Sequence, residues 1–105
     1  MLIIETPLFT RRIQSLISDD DYRLLQSYLV TRPDAGKVIP GSGGLRKVRW
    51  FMSGRGKRGG IRIIYYWVPS GNRLLMLFVY LKHEQEDLSS EQLRMLKKIV
   101  EEEYP

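Results

Sequence analysis

Apolar residues recur along this chain with two different periods, and the period changes twice. Residues 2–5 are a short extended run, Leu-Ile-Ile-Glu, and predict a strand. Thr6 followed by Pro7 reads as a helix N-cap with proline at the first helical position. Phe9, Ile13, Leu16 and Ile17 then repeat at helical spacing, which predicts a first helix over about 7–17. Ser18 opens a second helix, and Asp19, Asp20 and Asp21 fill its first turn, where the helix dipole favours acids. Tyr22, Leu25, Tyr28 and Leu29 form its inward stripe, and Arg-Pro-Asp-Ala-Gly at 32–36 ends it. From there the pattern shortens to strand period. Residues 45–52 alternate, 61–68 are a β-branched and aromatic run suited to a central strand buried on both faces, and 73–82 are a third strand. A hairpin turn at 69–72 joins the last two, and glycine-rich loops lie at 40–44 and 54–60. Helical spacing then returns. Ser89 with Gln92, and Leu88 with Leu93, form the cap and staple of a third helix, whose stripe is Leu93, Leu96 and Val100; residues 101–103 read as a frayed, solvated tail. The order β-α-α-β-β-β-α defines an α+β fold, one domain over 1–105, with two N-terminal helices and a C-terminal helix packed on a mostly antiparallel sheet.

Charge sharpens this picture. The net charge of +5 is unevenly spread. Residues 35–83 contain no carboxylate but hold ten cations: Lys37, Arg46, Lys47, Arg49, Arg55, Lys57, Arg58, Arg62, Arg73 and Lys82. All twelve acids lie in the flanks, so positive potential concentrates on the three-stranded section. A polyanion such as a nucleic acid is the expected partner. The absence of cysteine removes disulfides, thiolate metal sites and cysteine nucleophiles. With a single histidine, no metal site is expected either. The longest apolar run, 74–81, is too short to span a bilayer, and the N-terminus does not read as a secretory leader, so a cytoplasmic protein without membrane contact is expected.

Side chains alternate across a strand, which sorts the cations by face. Lys47 and Arg49 point one way, and Arg46 points the other. Arg62 shares a face with Ile64 and Tyr66, and Lys82 with Phe78 and Tyr80. If the register joins Lys47, Arg49, Arg62 and Lys82, the sheet presents a cationic floor on which Tyr66 and Tyr80 are candidates for stacking against bases. Arg55, Lys57 and Arg58 lie on the glycine-rich loop, whose amides can approach phosphate closely. That loop lacks the Gly-Lys-Ser/Thr ending of a nucleotide-binding P-loop. Trp50 and Trp67 are assigned to the core.

Three segments carry a resemblance to a known family. They are Gly-Gly-Leu-Arg-Lys-Val-Arg at 43–49, Gly-Lys-Arg-Gly-Gly-Ile-Arg-Ile-Ile-Tyr-Tyr at 56–66, and Val-Tyr-Leu-Lys-His-Glu-Gln-Glu-Asp-Leu at 79–88. Together with length and element order, they resemble the HigB-like branch of the RelE toxin superfamily. The resemblance implies the toxin of a type II toxin–antitoxin pair: a ribosome-dependent endoribonuclease that cuts messenger RNA without metal or cofactor and so inhibits translation. It also implies a cognate protein antitoxin of the helix-turn-helix, HigA-like kind. On this resemblance Arg62 matches the central-strand arginine that stabilises the phosphorane, Lys47 and Arg49 the basic pair of the preceding strand, Lys82 the basic position after the last strand, and Lys57 a loop lysine of this branch. Arg46, Arg55, Arg58, Tyr66, Tyr80, His83 and Glu84 are the expected RNA contacts around them. The tyrosine that follows the last strand in RelE has no equivalent here, where Asp87 and Leu88 stand. The general base therefore stays open among Lys47, Lys82 and Glu84. Two other readings share the charge pattern: a gyrase-inhibiting toxin of the ParE kind, and a non-catalytic RNA- or ribosome-binding module.

Overall fold

A computed structural model of the chain describes residues 1–51 and 60–104. Among the described residues, five strands form one mixed sheet in the order β1-β5-β4-β3-β2. The elements are β1 (Leu2–Glu5), α1 (Pro7–Leu16), α2 (Asp19–Thr31), β2 (Lys37–Val38), β3 (Leu45–Trp50), β4 (Ile61–Trp67), β5 (Arg73–Leu81) and α3 (Ser90–Glu103). The expected three-stranded meander is present: β3, β4 and β5 are successive antiparallel neighbours. β1 adds a parallel edge beside β5, and β2 an antiparallel edge beside β3. Among the described residues no helix is long and apolar enough to cross a membrane.

Local chemistry accounts for the helix starts. Thr6 Oγ1 accepts the Phe9 amide with Pro7 opening α1, and Ser18 Oγ accepts the Asp21 amide ahead of α2. At α3 the full capping box forms: Ser89 Oγ accepts the Gln92 amide while Gln92 Oε1 accepts the Ser89 amide. The acids at 101–103 continue this helix instead of fraying from it.

β4 is covered on both faces, as its composition predicts. Ile61, Ile63 and Tyr65 join Phe9, Ile13, Leu25 and Leu29 in the core under α1 and α2. Ile64 and Tyr66 join Leu45, Leu75, Leu77, Leu96 and Val100 in a second core under α3. A register shift changes the phase of β5 between these layers: Ile64 opposes Phe78, but Tyr65 opposes Met76, so Leu77 is the extra residue of a β-bulge. Met76 and Val79 thereby face α1 and α2, while Leu77 and Tyr80 face α3. Without the bulge, strict alternation from Met76 would carry Tyr80 to the opposite layer.

Two contacts anchor the edges. Glu5 on β1 accepts hydrogen bonds from Thr10 of α1 and Tyr22 of α2, tying both helices to the parallel edge. Burial first, and then the Glu5 carboxylate, raise the Tyr22 phenol well above its ordinary pKa, so it stays a donor. On the far edge, the buried Tyr65 hydroxyl donates to Pro33 O (2.6 Å) and accepts from Gly36 N (2.9 Å), which sets the chain for β2. Gly60 turns the chain into β4 with φ 59°; a Cβ there would lie 2.2 Å from Trp50 O, so only glycine fits.

Candidate nucleic-acid interface

The sheet register decides which cations meet. Arg49 on β3 lies directly opposite Arg62 on β4, and Arg62 directly opposite Tyr80 on β5. Lys47 opposes Ile64, which places it diagonally from Arg62, roughly 7–8 Å away between backbones. Lys37 on β2 opposes Lys47. Opposed residues of a ladder share a face, so Lys37, Lys47, Arg49 and Arg62 all lie on the α3 side of the sheet. The helix itself covers the other end of that side, where Leu45, Tyr66 and Leu75 sit. Cations directly opposite each other destabilise a ladder, and this face carries two such pairs. An anion bridging each pair removes the repulsion.

Arg62 is the most confined of the four, only 8 % exposed, whereas Arg49 is exposed. Lys47 is half-buried, and its ammonium donates to Asp87 Oδ1 at 2.7 Å. Asp87 lies in the segment between β5 and α3, which folds back over the cationic end of the sheet. The hydrogen bond from Lys47, then the Lys47 charge, and finally the Arg62 charge hold its carboxyl below the usual aspartate range. An ionised carboxylate thus rests where basic side chains from two strands converge. Alternation along the strands does not reveal this residue. In the sequence it is one of two flank carboxylates, with Glu86, available to pair with the Arg62 cation. Lys37 is likewise a site neighbour that pattern reading passes over, because a two-residue strand has no period.

Tyr66 and Tyr80 correct an expectation. Both were candidates for stacking on bases, but Tyr80 is fully buried and Tyr66 is 9 % exposed. Tyr66 packs against Tyr104, and Tyr80 against Phe78. Side-chain alternation assigns a face, but not whether a helix lies over it. The Tyr80 hydroxyl makes no hydrogen bond to any described residue. Burial raises its pKa first, the Asp87 charge adds to this, and Arg62 opposes it. The phenol therefore keeps its proton at neutral pH, next to Arg62.

The remaining candidates lie elsewhere. Arg46 faces the α1–α2 layer, donates to Gly36 O (2.8 Å) and stands 5.8 Å over the Trp67 ring, so it braces the β2 turn and does not join the floor. Lys82 and His83 are exposed just past the end of β5. Glu84 turns toward α1: it accepts from Arg12 Nη2 (2.6 Å) and from the Leu81 amide (2.8 Å), and those partners, the amide first, lower its pKa. A carboxylate so engaged is a poor proton acceptor, which weighs against Glu84 as general base. Arg55, Lys57 and Arg58 lie outside the described residues.

Beside Lys47 a cleft of about 410 Å³ opens between β2 and the start of α3. Among the described residues no group of His, Asp and Glu is arranged to hold a metal ion. No family model matches the chain.

Proposed function

We propose that this protein is a RelE-like toxin, an endoribonuclease that cuts messenger RNA on the ribosome and is neutralised by a protein antitoxin, acting in the cytoplasm. The observation that carries the reading is the convergence of Lys47, Arg49 and Arg62 on one sheet face in adjacent registers, inside a stretch without acids.

The chemistry those groups serve is transesterification. A ribose 2′-oxygen forms a bond to the adjacent phosphorus, and the bond from phosphorus to the 5′-oxygen breaks. The products are a 2′,3′-cyclic phosphate and a 5′-hydroxyl. Arg62, with its stem packed and its head confined, holds two donors toward the extra negative charge of the phosphorane. Arg49 neutralises a flanking phosphate. The Lys47 ammonium, oriented by Asp87, supplies a proton to the leaving 5′-oxygen, and a general base, with Lys82 among the contenders, takes the 2′-OH proton. The exposed Lys82 and His83 extend the rim.

The test is primer extension on total RNA after brief induction. Wild type arrests growth and produces new 5′ ends within translated messages. Arg62→Ala reduces that cleavage roughly a hundredfold or more, as expected for loss of a donor to a developing charge. Intact transcripts alongside abundant folded wild-type protein defeat the proposal, and inhibited gyrase supercoiling in the same cells assigns the fold to the ParE-like reading.

A further inference from the structure

The cleft beside Lys47 combines apolar walls with three charged groups. Its walls are apolar: Val38, Ile39 and Pro40 on the β2 side, Leu88 and Leu93 on the α3 side. Its charged groups are Lys37, Lys47 and Asp87. Lys37 and Lys47 are directly opposed across the β2–β3 ladder, which places two ammonium stems side by side. Lys47 is neutralised by Asp87, and no carboxylate among the described residues pairs with Lys37. Apolar walls with paired cations at one end match a ligand that has a flat apolar part joined to a dianion.

We propose that this cleft receives a single nucleotide of the RNA, next to the linkage held by Arg62. The base lies between Ile39 and Leu93, which both pack with the α3-side core, and its phosphate bridges Lys37 and Lys47. This deepens the nuclease reading and rests on it for the identity of the ligand as substrate. The phosphate takes the place of Asp87 on the Lys47 ammonium, which frees the carboxylate beside the reacting linkage. The cleft then reads base identity through shape, since its walls offer few hydrogen-bonding side chains. Leu93 is held by the Ser89–Gln92 capping box at the start of α3, and Ile39 by its amide's hydrogen bond to Leu45 O, so both walls stand on fixed backbone.

The test is a titration of ¹⁵N-labelled protein with adenosine and guanosine 3′,5′-bisphosphates, with inorganic phosphate and ribose 5-phosphate as controls. The amides of Lys37, Val38, Ile39, Leu88 and Leu93 shift with the bisphosphates and much less with the controls. Ile39→Trp fills the cleft from its β2 wall and weakens the bisphosphates at least about fivefold, the lower end of what one base contact contributes. Leu93→Ala is the second variant and weakens them in the same direction. Equal shifts with inorganic phosphate reduce the cleft to an anion site and overturn the proposal. Absence of any shift, with the same amides protected instead by a bound protein chain, assigns the cleft to a protein partner and also overturns it. The titration does not read cleavage. Bound nucleotide together with uncut messages therefore sinks the nuclease reading alone, while cut messages whose cleavage positions are unchanged by Ile39→Trp sink only the cleft.

Discussion

The Tyr65 hydroxyl offers the most direct check on how the cationic edge is held. Tyr65→Phe removes one oxygen and leaves the ring packed among Ile63, Leu25 and Val48. Two hydrogen bonds go with it, to Pro33 O and from Gly36 N. Each contributes about 1 kcal/mol net. Gly36 is buried, and its amide lies against the Tyr65 ring, where a Cβ would come within 2.8 Å of Cε1. No water fits in so tight a contact, so the amide is left unsatisfied at a further cost of about 1–2 kcal/mol. Pro33 O is only partly buried and regains water, so it adds little. The expected loss is about 3 kcal/mol, a large share of the roughly 5–10 kcal/mol that holds a domain of this size. Urea unfolding followed by circular dichroism should show the midpoint falling by roughly 2 M at an unchanged slope near 1.5 kcal/mol/M. The amides of Lys37 and Val38 should also exchange faster, because β2 hangs on this contact. A midpoint shift under about 0.3 M, or a loss of stability with β2 protection intact, refutes the claim that this hydroxyl positions the edge.

Two further predictions follow from the segment after β5. Glu84 has a folded pKa below its ordinary value, so its contribution to stability is present above the ordinary value and is lost as pH falls through the lowered one. Carboxyl NMR should show Glu84 titrating below a free glutamate and moving up in Arg12→Met; an unmoved midpoint in that variant removes Arg12 as a cause. Ser89→Ala breaks one arm of the α3 capping box and should cost about 1 kcal/mol in urea unfolding. It should also loosen Asp87 from Lys47, seen as an upward move of the Asp87 titration; a stability change near zero means that the box does not hold this end of α3.

Much of this molecule was legible in its residue order, because local chemistry decides it. Thr6-Pro7, Ser18 and Ser89 start helices through their own side chains, and the β-branched run 61–67 demands cover on both sides. Alternation put Lys47 and Arg49 on one face, but that Arg62 joins them was decided by the β3–β4 register, which sets Arg49 opposite Arg62. Other features depended on contacts distant in sequence. The two-residue β2 exists because Tyr65 fixes the turn before it, and so Lys37 joined Lys47. The Leu77 bulge set the layer of Tyr80, and packing in the α3-side core then buried both tyrosines that alternation had offered to a ligand. Asp87 reached Lys47 across forty residues because the segment after β5 folds back over the sheet. Period and capping are properties of neighbouring residues, so residue order is enough to set them. Burial and the meeting of opposite charges depend on which distant surfaces share the same space, and they are settled when the chain folds.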